Sequence, residues 1–514
     1  MPKSRATCSR FVVYVCILFG GAARSALAQP VIPQGGEFQV NRYTFLNQVA
    51  PAVAADADGD FVVTWTDDAL DGSSPGIFGL RFSSAGAVLG VQFQVNTYTT
   101  SIQRFSAVAA ESNGDFVVVW HSLMQDGVTN YSIFGQRFSS SGGTLGGEFR
   151  VNSYTVGYQR YPKVAADSDG DFVVVWDSLG QDGSFLGIFG QRFNSSGAAL
   201  AAEFQINSYT PGNQRFPAVA IDGDGDFVVV WDSFGDSSGY GVFAQRFNSA
   251  GTRVGIQFLV NSHTSDSQSR PAVAAEADGD FVVVWQSLHQ DGPIPYGNLG
   301  IFGRRFSSAG AALGGEFQAN SFTLNYQRYP KVAIEDASDF VVAWESRNQD
   351  GSYQGVFLRR FNAAGVAQGL DVQANSYTVG SQGQVAIDFD ADGDFVVVWR
   401  TTEPQDGNAA GIFAQRYSLP PLATLDIDGN GTVDALTDGL LVLRDLFGFG
   451  GTTLTAGAVG GGCSRCDAAA ISPYRAGIED ALDIDDNGAT DALTDGLLVL
   501  RYLYGFGGTT LTTG

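Results

Sequence analysis

Two acidic stretches near the C-terminus carry the residue types that a hard divalent cation needs. They read LDIDGNGTVDALTDGLLVLRDLFGFGGTTLT from Leu425 and LDIDDNGATDALTDGLLVLRYLYGFGGTTLT from Leu482. Calcium takes six to eight oxygens, and a short loop delivers them from alternate side chains plus one backbone carbonyl. Asp426, Asp428 and Asn430 stand at alternate positions, Gly431 permits the sharp turn, and Thr432 offers its carbonyl. In the second copy Asp483, Asp485 and Asn487 repeat the side chains, with Gly488 at the turn and Ala489 for the carbonyl. Asp434 and Asp491 add a carboxylate each, acting through water. A Leu-rich helix follows each loop: Leu440, Leu441, Leu443 and Leu446 are matched by Leu497, Leu498, Leu500 and Leu503, and the two apolar faces are expected to pack together. The expected cofactor is calcium, one ion per loop.

This duplicated loop and helix resembles the type I dockerin, an EF-hand-like, calcium-dependent module of secreted bacterial proteins, over residues 425–514. In dockerins an Asp at loop position twelve closes the coordination. Here Thr437 and Thr494 stand at that position, and Asp438 and Asp495 come one residue later, so the resemblance assigns those two Asp residues the closing role across a one-residue insertion. The resemblance also implies a cohesin-like protein partner and a setting in polysaccharide breakdown. Ala435-Leu436 and Ala492-Leu493 stand where dockerins commonly carry the Ser or Thr of the cohesin contact.

Upstream, one phrase recurs as DGDFVVTW, NGDFVVVW, DGDFVVVW and ASDFVVAW, closed by Trp65, Trp120, Trp176, Trp231, Trp285, Trp344 and Trp399 at intervals of roughly 55 residues. A full unit, QRFPAVAIDGDGDFVVVWDSFGDSSGYGVFAQRFNSAGTRVGIQFLVNS, splits at its turn residues into PAVAI, DFVVVWDS, GVFAQRF and IQFLVN. Four short strands per unit predict a mainly β fold, a seven-bladed, four-stranded β-propeller. The Ala-rich first strand suits the crowded axis. The unbroken apolar run of the second strand suits a position covered on both faces, with each Trp filling the gap between blades. An isolated EFQVN (37–41) precedes the first unit, and the last unit stops at GIFAQRYS without its fourth strand. Pairing these two pieces closes the ring and hides both edges.

Three recurring polar features have structural readings. The DADGD-type turns, such as Asp56, Asp58 and Asp60 or Asp222, Asp224 and Asp226, lack the glycine and distant carboxylate of a calcium loop and read as hairpin turns. The arginines of the third strand (Arg81, Arg137, Arg192, Arg246, Arg305, Arg360, Arg416) read as buried partners of an Asp in the same blade, with a site for anions as the alternative. The opposite rim carries repeated QDG triplets and the segment with Tyr154, Tyr158 and Gln159, groups that suit a sugar or a peptide and also suit ordinary turns. The units are so alike that no blade presents the paired carboxylates or the nucleophile with its base that catalysis needs. The expectation is an exported, non-catalytic binding or assembly protein with no catalytic residue. The alternative is a secreted carbohydrate-active enzyme or polysaccharide-degradation component, a glycoside hydrolase or lyase, with an extracellular glycan as ligand.

Composition bounds both readings. A hydrophobic fraction of 44% against 16% charged residues describes a globular chain. The formal net charge of -24, with Lys3, Lys163 and Lys331 as the only lysines, argues against nucleic acid as a partner. Residues 1–28 read as a signal peptide: Lys3, Arg5 and Arg10 precede an apolar run too short to span a bilayer, and cleavage is expected after Ala28. Export and a secreted, soluble, monomeric product without a membrane span follow as expectations. Cys463 and Cys466 then remain, and in an exported chain that pair reads as a local disulfide. The expected domains are the propeller over 36–418, a linker over 419–424 and the calcium-binding module over 425–514.

Overall fold

In the computed structural model each repeat is one four-stranded antiparallel sheet, and seven such sheets make the β-propeller that the periodicity predicts. The structure describes residues 31–514 except 73, 236–238, 293–297, 336–337, 404, 420–425, 431–434, 478–481, 483–489 and 504–514. The chain divides into two units, the propeller Pro30–Leu419 and a C-terminal unit from Pro420. No helix among the described residues is long and apolar enough to cross a membrane.

Blade 1 comprises Gln48–Ala55, Phe61–Asp67, Gly76–Phe82 and Val88–Gln94, in that order from the axis outward. Blades 2 to 6 repeat the pattern. The innermost strands of successive blades are neighbours, and that of blade 7 (Gln382–Phe389) lies beside that of blade 1. Blade 7 takes its outer strand from the N-terminus: Ile32–Gln39 pairs antiparallel with Gly411–Ser418, Ile32 opposite Ser418 and Phe38 opposite Ala414. The closing strand therefore begins at Ile32, before the expected 37–41. The extra residues bond to the same edge, as Gln34 Nε2 does to Ser418 Oγ at 2.7 Å.

The run from Phe to Trp in the second strand is buried in every blade, which is why its sequence does not alternate. None of the seven indoles exposes any surface. Trp65 packs with Val40, Val396, Val398 and Ile412, so it bridges blades 7 and 1, and Trp120 does the same between blades 1 and 2. Truncating a side chain of this size to alanine typically costs about 3–5 kcal/mol.

Repeated polar residues tie blade to blade. Asn152, two residues past the fourth strand of blade 2 (Phe149–Arg150), accepts the Ile133 N–H at 2.6 Å and donates to Gln159 at 3.3 Å, the first residue of blade 3. Gln159 in turn donates to the Val156 carbonyl at 3.1 Å. The rim glutamines latch onto an acid of the outer strand: Gln125 donates to Glu148 and Gln181 to Glu203. Glu203 also accepts the Ser153 N–H of the preceding blade at 2.6 Å. These amides serve the scaffold. The acidic turns do likewise, since Asp56 Oδ1 accepts the Asp58 and Asp60 N–H groups at 3.1 and 2.9 Å. Arg360 pairs with Asp339 of its own blade at 2.7 Å, as the arginine pattern predicts, and Arg137 and Arg305 approach Glu111 and Glu276 at 4.0 and 3.9 Å.

In the C-terminal unit, helices Leu440–Leu446 and Asp495–Leu503 pack against each other. Leu441, Val442 and Val499 share a core with Ile427, Leu454, Ile471 and Leu482. Cys463 and Cys466 are joined as a disulfide.

Candidate functional site

The residues that differ between blades gather at one mouth of the axial channel. Each innermost strand opens with a buried glutamine and then loses register with its partner, between Val49 and Ala52 in blade 1 and at the same place in the others. At every one of these bulges a non-glycine residue takes up left-handed backbone: Ala50, Phe105, Tyr161, Phe216, Arg270, Tyr329 and Gln384, with φ between 53° and 56°. Such a conformation costs on the order of 1–2 kcal/mol per residue, and it turns each side chain out of the sheet. Proline follows in five blades (Pro51, Pro162, Pro217, Pro271, Pro330), lacking the N–H that a broken ladder would strand.

A second ring holds the first. The residue after each Trp is Thr66, His121, Asp177, Asp232, Gln286, Glu345 and Arg400 in turn, and it faces the left-handed residue of the next blade. Phe105 N–H donates to Thr66 Oγ1 (3.3 Å), Tyr161 N–H to His121 Nδ1 (3.4 Å) and Arg270 N–H to Asp232 Oδ2 (3.2 Å). Tyr329 N–H donates to Gln286 Oε1 (3.1 Å) and Gln384 N–H to Glu345 Oε1 (2.6 Å). Arg400 has no acceptor to offer, and Gln384 Oε1 accepts the Ala50 N–H instead at 2.8 Å. Asp177 breaks the series: it is buried, and neither carboxylate oxygen makes a hydrogen bond, Arg160 Nε standing 3.7 Å away.

Inside the first ring lies a cavity of about 400 Å³, lined by aromatic, proline and charged side chains, with Glu345 the one lining residue from the second ring. Phe105, Tyr161 and Phe216 follow one another at centroid distances of 5.2 and 5.7 Å. The Arg270 guanidinium continues the arc, 3.4 Å from the Phe216 ring centroid and 5.2 Å from that of Tyr329. Deeper in the channel the fifth residue of the innermost strand is Ala in blades 1, 2, 4, 5 and 7 but Lys163 and Lys331 in blades 3 and 6. The crevices between acidic turns on the other face are smaller, at about 20 to 230 Å³.

Burial sets the protonation of this site. It pushes the Asp177 carboxyl up to about 7 despite Arg160, and it raises Asp232 and Glu345 against the pull of Arg215 and Arg328. His121 falls to about 3 through burial and the nearby Arg160 and Arg104, so it stays neutral and accepts through Nδ1. Lys331 drops to about 7, because protein surrounds it and Lys163 and Arg270 add like charge, while Lys163 is lowered by burial. Both lysines keep some contact with channel solvent, which moderates the depression.

The expectation that no blade is special is corrected here. The copies are uniform where they build the ring and diverge at these three positions, two of which line the channel while the third, largely buried behind them, holds the first. Of the rim groups, the Gln125 and Gln181 amides and Gln159 belong to the latches described above. Tyr158 stays exposed beside Arg160, 5.6 Å from its guanidinium.

The two acidic loops of the C-terminal unit are described in part. Asp426, Asp428 and Asp438 bring carboxylate oxygens within 4.8 Å of one another, and Asp428 and Asp438 are fully buried. Asp438 Oδ1 accepts the Ile427 N–H at 2.5 Å, and Thr437 Oγ1 donates to Asp438 Oδ2 at 3.1 Å. The carboxylate one residue beyond Thr437 therefore faces the loop. Asn430 donates its N–H to Asp426 Oδ1 at 3.0 Å. In the second copy Asp495 is fully buried and accepts the Asp491 N–H at 3.0 Å. Thr432, Asp434, Asp483, Asp485, Asn487 and Ala489 lie outside the described residues. Buried like charges this close need a cation or protons to offset them, so the visible donor set fits a hard divalent ion.

No family model matches the chain, and no curated protein matches it. Among solved structures, a protein of unknown function from Dyadobacter fermentans aligns at 10% identity and a TM-score of 0.45, over 76% of this chain and 100% of its own. The α-L-arabinofuranosidase of Fusarium graminearum aligns at 10% identity and 0.44, over 76% and 100%. The α-L-arabinanase of Penicillium chrysogenum aligns at 11% and 0.42, over 75% and 97%. At such values the fold rests on the seven sheets themselves.

Proposed function

We propose that the chain is a carbohydrate-active component of polysaccharide breakdown, taking a saccharide into the mouth of the propeller channel. One observation carries this reading: seven equivalent strained positions aim their side chains at a single cavity, and four of them are aromatic. The strained backbone recurs in every blade as scaffold, and the side chains that it projects differ from blade to blade, which is where recognition can reside. A concave site with aromatic walls and a few convergent polar groups suits a ligand that is apolar on its ring faces and hydroxylated at its edges. Replacing Tyr161 and Phe216 together by Ala is expected to weaken oligosaccharide binding about fivefold or more, as the loss of two aromatic contacts of about 0.5–1.5 kcal/mol each implies, without lowering the melting temperature. Calorimetry against a panel of plant and bacterial oligosaccharides checks this. A wild-type protein that binds none of them sinks the reading.

Turnover at this site is favoured by Glu345. It lines the cavity, and burial raises its carboxyl toward the protonated form that a general acid needs. Chromatography of the same panel after incubation separates hydrolysis from binding alone. Where products form, Glu345→Gln should abolish them and leave affinity largely intact.

The C-terminal unit completes the proposal: an exported chain whose dockerin-like module holds one calcium ion through Asp426, Asp428, Asn430 and Asp438 and a second through the duplicate set. The ion would supply charge neutralisation to loops that repel one another, so binding and folding of the module are coupled. Calcium is expected to raise the melting transition of this unit, magnesium much less, and Asp438→Asn with Asp495→Asn should remove the calcium response. Calorimetry showing no uptake at millimolar calcium would refute the assignment.

A further inference from the structure

In a chain of net charge -24, the two lysines within the described residues both line the axial cavity. They occupy a position that five blades fill with alanine, so the packing of the innermost strand does not call for them. Enclosed ammonium groups are ordinarily retained with a counter-charge. Among the described residues neither lysine makes an ion pair within 4.0 Å or a hydrogen bond, and the lysines lie close enough to repel each other. The one carboxyl lining the cavity, Glu345, favours the Lys331 ammonium less than Lys163 and Arg270 oppose it, and it is already held by Arg328 Nε at 3.1 Å and by the Gln384 N–H. Arg270 adds a third cation, its plane fixed between Phe216 and Tyr329.

We propose that Lys163, Lys331 and Arg270 form an anion subsite inside the channel, which takes a carboxylate or sulfate group carried by the saccharide. The proposal rests on the saccharide reading of the mouth and names its substrate class: acidic glycans, bearing uronate or sulfate ester, rather than neutral ones. The geometry suits that chemistry. The aromatic arc receives the sugar ring, and Arg270 at its end and the two lysines below it receive the charged substituent. The two lysines are flexible point charges rising from blades 3 and 6, across the channel from each other, so they can converge on one anionic group. A local reversal of sign in an acidic protein also focuses attraction at the mouth alone.

Calorimetry on the full chain tests this with three oligosaccharides of equal length: an oligouronate, a sulfated galactan and a neutral galactan. The wild type is expected to bind at least one acidic oligomer tenfold or more tightly than the neutral one, and the tighter acidic arm identifies the substituent. Lys163→Ala with Lys331→Ala should erase that preference and leave neutral binding unchanged. Alanine is native at this position in five blades, so the double variant should keep its melting temperature. No preference in the wild type, or a preference that survives the double variant, overturns the subsite. Inorganic sulfate bound by the wild type and lost in the double variant, with no saccharide bound by either, would keep the subsite and discard the saccharide reading.

Discussion

Removing residues 31–41 is expected to destroy the cooperative fold of the propeller. Those residues supply the outer strand of blade 7 and bury Val40 fully between blades 7 and 1, beside Trp65. Glu37 also repeats the latch found in other blades, accepting the Ser376 N–H at 2.6 Å and the Gln405 amide at 2.5 Å. Burying Val31, Phe38 and Val40 alone stabilises by about 5 kcal/mol, taking roughly 1.5–3 kcal/mol per side chain. That is comparable with the whole net stability of many domains. The truncated chain also exposes the edge of Gly411–Ser418, a template for association with other chains. The expected result is insoluble protein, or soluble protein without the native near-ultraviolet signal of its tryptophans. A permutant separates closure from mere loss of sequence. Ile32 already faces Ser418, so joining residues 32–41 to Ser418 through an Asn-Gly turn should restore the ring. A truncation that melts where the full chain does would show that the ring closes by other means.

The architecture was legible because a propeller is written as a period, and periods survive local noise. Trp recurrence, the unbroken FVVVW run and the orphan EFQVN each follow from one physical demand: a sheet covered on both faces and closed at its edges. The site was harder to see for the opposite reason. Function in a ring of near-identical blades lives in the exceptions, and reading for uniformity averages them away. The residue after each Trp runs Thr, His, Asp, Asp, Gln, Glu, Arg, and the position held by Lys163 and Lys331 is otherwise Ala. Aligning the seven units column by column would have exposed both. The left-handed bulge had no such signal, because residues as unlike as Ala50, Phe105 and Arg270 occupy it and no glycine marks it. The rim amides misled because they recur in most blades. What recurs there is scaffold, as the Gln181–Glu203 latch shows. In the first C-terminal loop Asp438, one residue beyond the usual spacing, turns back to accept the Ile427 N–H.

Asp177→Asn is expected to stabilise the protein above neutral pH and to leave it nearly unchanged near pH 4. The carboxyl is buried with both oxygens unbonded, and its pKa stands at about 7 in the folded chain against 3.8 for an unperturbed aspartate. A raised acid pKa means that the native state binds more protons than the unfolded state between those two values. Stability must then fall as pH rises through that window and level off above it. A shift of this size corresponds to a loss of up to about 4 kcal/mol at pH 8. Asparagine fills the same volume and carries no charge, so it escapes the loss. Its amide can also donate where a carboxylate could only accept. Arg160, which loses its neighbour, is partly exposed and lies near the Tyr158 and Tyr161 rings, so solvent and those rings hold it. Denaturant titrations of both proteins from pH 4 to pH 8.5 read the difference directly, because every other titrating group is common to the two chains and cancels. Coincident curves at all pH values would mean that Asp177 gains a partner or water in solution. A variant less stable at pH 8 would mean that its charge is used, and the pairing with Arg160 would then be the interaction to measure.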